Sequence, residues 1–415
     1  MQHNRRRRLV LPQAVNLYIT YRCRSRCSHC FLVQSGKIDR HELTREALFS
    51  IIDQLSELQV FLLIVSGGEP LLHPNFFEVL KYANERRMLP LVAITGTRVS
   101  DEEVARYAAA GIPSIQMSLD GASARANDEI RGSGSFSDIV SAVRRFQSAG
   151  VSVNLAICVH RQNLEEIEGF FGLCAELKIG RVKLGFYRPF DSDAPVKELH
   201  EGEVQRVLAL ARSFILAHGL PRDWIASPTI DVWTGQGILK RSALPPLTIG
   251  ADGVLTAGDS GAEIGMLAAG PIAETYSAYV AKKLQQFYEA TLQRAFIEFG
   301  LSEANEADSL NANALIYRHG DKFIAYVNKG LPPVIKFFSL LHEVGHIATQ
   351  TMHCAPRVTR HEEEELRANL WALNRLRENL HPEVFSYYEA KASVSEATFF
   401  RHIADNLEDD LIGYF

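Results

Sequence analysis

From residue 14 to about residue 190, short apolar runs alternate with amphipathic stretches. The runs are "VNLYIT" (15–20), "FLLIVSG" (61–67), "LVAIT" (91–95), "SIQMSLD" (114–120), "VSVNLAICV" (151–159) and "RVKLGFY" (181–187). Their length and β-branched content predict parallel strands covered on both faces. Between them, "LTREALFSIIDQLSEL" (43–58) and "SFSDIVSAVRRFQSAG" (135–150) have the spacing of amphipathic helices. The second is expected to start on Ser135 as its cap and to stop at Gly150. Six strand–helix units predict an α/β fold, an open partial (β/α)6 barrel with right-handed crossovers. Its ligand belongs at the C-terminal ends of the strands, where the strand-to-helix loops gather.

Beyond residue 190 the pattern loosens. "DSDAPVKELHEGEVQRVLALARSFILAHG" is mostly helical, and "TIGADGVLTAG" (248–258) predicts a hairpin around Asp252-Gly253. A charged helix over 278–300 leads to two strands joined by a Gly-containing turn (314–331). An apolar helix holding "SLLHEVGHIATQ" and an acidic helix, "HEEEELRANLWALNRL" (361–376), follow. The expected division is a basic tail over 1–13, the barrel over 14–190, a linking module over 191–290 and a last domain over 291–415.

Composition changes this picture only in outline. A chain of 415 residues, 47% hydrophobic and 22% charged, is long enough for several globular domains. The net charge of −5 argues against a dedicated nucleic-acid binder. The run Arg5–Arg8 is the local exception and reads as a solvated tail, or more sharply as an arm for an acidic peptide. The N-terminus lacks the apolar length and cleavage site of a signal peptide, and no run approaches a membrane span. Three of the six cysteines are clustered, while Cys158, Cys174 and Cys354 are scattered, as expected in a reducing compartment. A cytoplasmic protein with no membrane contact is expected.

The clustered cysteines are Cys23, Cys27 and Cys30, spaced C-x3-C-x2-C in the first strand-to-helix loop. Three thiolates can hold three irons of a 4Fe–4S cube and leave the fourth open; with His29 they could instead complete a zinc site. Spacing alone leaves both open. Together with "SGGEP" (66–70) after the second strand and "SLDG" (118–121) after the fourth, "CRSRCSHCF" resembles the radical S-adenosylmethionine (SAM) superfamily over roughly residues 14–190. "RGSGSFSDIVSAVRRFQSAG" and "RQNLEEI" are similar to its peptide-modifying branch, which carries an auxiliary SPASM or twitch module. The resemblance implies one 4Fe–4S cluster whose open iron binds SAM. It also implies reduction by a donor such as flavodoxin or ferredoxin, and a 5′-deoxyadenosyl radical that abstracts a hydrogen from a peptide or protein substrate. It places Gly67, Gly68 and Glu69 at the methionine end of SAM, Ser118 and Asp120 at its ribose, and Arg131 at its carboxylate. The chain departs from the branch at Arg24, where Asn is common, and at Gly258, where a module cysteine is expected. The twitch-like module is therefore expected to be degenerate and free of a second cluster.

In "HEVGH", His342 and His346 lie four apart on one helix face, able to share a metal, with Glu343 beside the first. With "DKFIAYVNKGLPPVIKFFSLLHEVGHIA" and "EELRANLWA", this stretch resembles the ImmA/IrrE-like zinc metallopeptidases over roughly 310–376. The resemblance implies an α+β zincin-type domain with zinc on His342, His346 and Glu365, and Glu343 as general base. Glu365 is taken over Glu364 from the register of Ala368-Asn369. The function expected is bifunctional: radical modification of a ribosomally made peptide coupled to zinc-dependent peptide hydrolysis. The alternative is a regulatory metallopeptidase that cuts a DNA-binding repressor, gated by SAM or redox state through the barrel.

Overall fold

Strands β1 (Ala14–Thr20), β2 (Leu62–Gly67), β3 (Leu89–Ile94), β4 (Ser114–Ser118), β5 (Ser152–Val159) and β6 (Val182–Phe186) pair in sequence order, every pair parallel. The computed structural model describes residues 12, 14–189, 198–227, 232–233, 246–257, 261–308, 310, 312–319, 322–349, 362–380, 382–392, 396–407 and 411. The Arg5–Arg8 tail, Gly258 and Cys354 lie outside them.

Helices close one face of this sheet. Helix Arg45–Glu57 buries Leu48, Ile51, Ile52 and Leu55, an i, i+3, i+4, i+7 stripe, and Thr44 caps it by accepting from the Ala47 N–H. Helix Ser135–Ser148 packs on β4 and β5 through Ile139, Val143 and Phe146. Its expected cap is corrected. Ser135 is the first helical residue, and the end is held from outside by Asp128, whose carboxylate accepts from the Gly134 and Phe136 N–H groups at 2.7 and 2.8 Å.

The strands are not covered alike on both faces. Val15, Leu17 and Ile19 of β1 are wholly buried, while the alternate Asn16 and Tyr18 face a cavity. The same alternation brings Ser66, Gln116, Ser118 and Cys158 to that cavity. Period-two polarity, not a uniform apolar run, is the mark of these strands.

The hairpin expected at Asp252-Gly253 forms from β8 (Leu247–Ile249) and β9 (Val254–Ala257), after a short β7 (Ile225–Ala226) that pairs with β6. β10 (Ala262–Met266) adds a third antiparallel strand. Because β8 lies parallel to β1, these strands extend the barrel's own sheet, in the order β10-β9-β8-β1-β2-β3-β4-β5-β6-β7.

Two compact units result: residues 1–238 with 245–277, and residues 239–244 with 278–415. The boundary falls inside helix Ile272–Phe299, which starts earlier than the pattern predicts. In the second unit β12 (Ala314–His319) and β13 (Lys322–Asn328) form the expected hairpin, and β11 (Leu301–Ala307) joins β13 in parallel. β11 reads "LSEANEA" and has no apolar run, so only pairing reveals it. Helix Pro333–Ala348 is buried along most of its length, and helix Glu362–Asn374 packs against it.

Candidate functional site

The cysteine loop leaves β1 at Thr20 and is tied down by its own backbone. The Cys23 N–H donates to Asp39 Oδ1 at 3.0 Å, and Arg26 donates to the Cys23 and Ser25 carbonyls while pairing with Asp39. The Ser28 N–H reaches the Ile130 carbonyl at 3.1 Å. All three thiols line the cavity, whose volume is about 970 Å³, at the C-terminal ends of the strands. Burial pushes Cys23 up to about 11 and raises Cys27 as well, although Arg131 pulls Cys27 back. Thiolates drawn partly out of water favour a cationic partner.

Gly67 and Gly68 also line the cavity, but their lack of side chains serves the cysteine loop first. A Cβ on Gly67 would stand 2.3 Å from the Thr20 carbonyl oxygen, and one on Gly68 2.3 Å from that of Arg22. The Gly68 and Glu69 N–H groups bond those same carbonyls at 2.8 and 2.7 Å. Glu69 is wholly buried; it accepts from the Leu71 N–H and from the N–H and hydroxyl of Thr95. Burial raises its pKa despite these bonds, and the carboxyl does not line the cavity. Thr95, in "TGT" after β3, is a positioning residue that sequence reasoning missed. Its one signal is its place at a strand's C-terminal end.

Ser118 lines the cavity as expected of a ribose contact, and Asp120 does not. Asp120 is wholly buried: Oδ1 accepts from the Cys158 N–H at 2.8 Å, and Oδ2 lies 2.7 Å from Arg131 Nε and 3.6 Å from His29 Nε2. Burial acts to raise this carboxyl, but Arg131, His29 and the Cys158 N–H together outweigh it, so Asp120 is held below the usual range. Arg131 is engaged in turn, with Nη1 3.8 Å from Cys27 Sγ. His29 is turned to Asp120 and packs near His160, their ring centroids 5.6 Å apart.

In the second unit the predicted metal ligands meet. His342 Nε2 lies 3.1 Å from His346 Nε2 and 3.1 Å from Glu365 Oε2, which is 3.5 Å from His346 Nε2. All three are buried. His342 Nδ1 shares a 2.8 Å hydrogen bond with Asn369 Oδ1; an amide oxygen only accepts, so the proton is on Nδ1 and the Nε2 lone pair is free for a metal. Glu343 is buried beside the two histidines. Gly345 was not singled out in the sequence, yet a Cβ there would meet the Ala368 carbonyl oxygen at 2.7 Å. Its absence lets the second helix come close enough to deliver Glu365 and Asn369.

With this geometry in place, comparison with known proteins is informative. Residues 17–174 match the model of the Radical SAM superfamily. This stretch is a radical SAM domain. The chain is 34% identical over 256 residues to mycofactocin maturase MftC of Mycolicibacterium smegmatis, covering 60% of this chain and 59% of that protein. It is 29% identical over 198 residues to an AdoMet-dependent heme synthase of Methanosarcina barkeri, covering 48% and 57%. The chain thus spans about six-tenths of the length of the curated relatives it matches. Its fold is like that of Streptococcus suis SuiB bound to precursor peptide SuiA, with a TM-score of 0.55 at 16% identity over 64% of each chain. It is also like that of anSMEcpe with bound AdoMet, with a TM-score of 0.54 at 14% identity over 63% and 80%.

A radical SAM domain implies a 4Fe–4S cluster and SAM, and the residues fit both. The thiols of Cys23, Cys27 and Cys30, Cys27 buried and the other two half-buried, supply the donors at one cavity, which Gly67, Gly68 and Ser118 also line. Among the described residues no helix is long and apolar enough to cross a membrane.

Proposed function

We propose that the chain is a radical SAM enzyme that modifies a peptide, and that its second unit hydrolyses a peptide bond at a zinc site. The observation that carries the first half is the cavity at the strand ends, shared by Cys23, Cys27, Cys30, Gly67 and Gly68. Bound there, cluster and SAM supply a carbon-centred radical able to take a hydrogen atom from an unactivated position. The three cysteines hold the cluster, Glu69, oriented by Thr95, holds the ammonium of SAM, and Ser118 bonds its ribose. The electron comes from an external donor of the flavodoxin or ferredoxin type.

The substrate follows from the cavity wall. Asn16, Gln116, Thr248 and Thr256 offer neutral hydrogen-bonding groups, with aromatic faces from Tyr18, Phe31 and Phe186. Of the cavity's cations, Lys37 and Arg131 are paired with Asp252 and Asp120, and Arg188 also lines the wall. A wall of neutral hydrogen-bonding groups and aromatic faces suits a peptide.

The convergence of His342, His346 and Glu365 supports the second half. His342, His346 and Glu365 would hold zinc, which would supply a Lewis acid that activates a water. Glu343 takes the proton of the attacking water and returns it to the leaving amine. Asn369 fixes the His342 tautomer throughout.

The test is anaerobic reconstitution of the full chain with iron, sulfide, SAM and a reductant, mixed with peptides encoded beside the gene. Formation of 5′-deoxyadenosine, a mass change in one peptide and its cleavage by the wild type but not by Glu343→Gln are expected. No 5′-deoxyadenosine with any candidate, or a wild-type chain that binds no zinc, sinks the corresponding half.

A further inference from the structure

Asp120 and Arg131, expected at the ribose and the carboxylate of SAM, are paired with one another, and Arg131 lines the cavity while Asp120 does not. Asp120 is sealed from the cavity and spends one oxygen on the Cys158 N–H and the other on Arg131 and His29. Arg131, at the end of helix Ala124–Arg131, is only 8% exposed and extends Nη1 to Cys27 Sγ. The same helix is bolted to its surroundings twice. Asn127 Oδ1 accepts from the Asp120 N–H at 2.9 Å, and the Ile130 carbonyl accepts from the Ser28 N–H in the cysteine loop. These bonds fix the helix backbone that carries Arg131 beside the loop that carries the thiols.

A fixed cation beside a cluster thiolate has a defined consequence. Reduction adds one negative charge, which a nearby buried cation stabilises strongly where water screens little. An N–H···S bond to the ligand sulfur acts in the same direction. The buried Asp120 carboxylate opposes part of that field while holding the guanidinium in place. We infer that Arg131, positioned by Asp120, sets the reduction potential of the cluster bound by Cys23, Cys27 and Cys30. Asp120 acts as the restraint on that field and does not bind ribose. The inference rests on the radical SAM reading above.

The test is a redox titration of the reconstituted full chain, followed by electron paramagnetic resonance, with iron counted per chain. Arg131→Gln is expected to move the midpoint to more negative potential. Asp120→Asn keeps a side-chain oxygen to accept from the guanidinium and removes the opposing charge, so it is expected to move the midpoint to more positive potential. Arg131→Lys keeps the charge but loses the rigid fork, so it should fall between Arg131→Gln and wild type. If Arg131→Gln loses iron, Arg131→Lys and Asp120→Asn still give shifts of opposite sign. A purely structural role predicts shifts of one sign in both substitutions, or none, and either result with iron retained overturns the inference. A wild-type chain that takes up no cluster overturns the radical SAM reading as well, and the iron count separates the two failures.

Discussion

Single residues decide whether the cysteine loop can close on the barrel. A methyl group on Gly68 would stand 2.3 Å from the Arg22 carbonyl oxygen, a backbone atom that cannot yield without moving the loop. Gly68→Ala is therefore expected to cost roughly 1–3 kcal/mol and to lower iron uptake, as thermal melts and iron analysis would show. His160 makes a second case. It is wholly buried, its Nδ1 accepts from the Gln162 N–H at 3.3 Å, and burial, helped by His29, pushes its pKa down to about 4. The unfolded chain binds a proton near the ordinary value of about 6.5. As pH falls through that window the unfolded state takes up the proton first, so stability is lost with acid. His160→Gln should flatten this loss between pH 6.5 and 4, as urea melts at pH 7 and pH 5 would show. An unchanged slope would mean that other groups carry the acid sensitivity.

At the scale of elements, two helices build the zinc site and one glycine sets their distance. Helix Pro333–Ala348 supplies both histidines and helix Glu362–Asn374 supplies Glu365 and Asn369. Gly345→Ala places a methyl 2.7 Å from the Ala368 carbonyl oxygen and forces the helices apart. Zinc affinity should fall roughly 10–100-fold by competition with a chelator, while circular dichroism keeps its helical signal. The HExxH spacing was legible because an i, i+4 pair must share a helix face. Gly345 was not, because its role lies in what it meets from a helix that starts seventeen residues later. The strand order β1 to β6 was likewise legible from alternation, whereas β11, with its polar sequence, exists only through its pairing with β13.

At the scale of the whole molecule, the two metal sets belong to different compact units. A Cys23/Cys27/Cys30→Ala chain should lose its iron and keep zinc, and His342→Ala with His346→Ala should do the reverse. Metal analysis of the two purified variants decides it; loss of both metals from either one would show that the units do not fold independently.

The chain's own pattern determined the strand–helix alternation, the cysteine spacing and the histidine pair, because each depends on neighbours a few residues apart. Tertiary structure alone decided which way Asp120 turns. A carboxylate after a strand can face a ligand or a guanidinium, and its choice depends on Arg131 arriving beside Cys27 from the next helix. It also decided why Gly67 and Gly68 are glycines. The sequence reads as room for a ligand, but the nearest obstacle is the backbone of β1 and of the loop after it, brought there by a pairing between segments over forty residues apart. Local spacing carries the chemistry a segment can perform; the partner that a side chain finds is set by packing from distant parts of the chain.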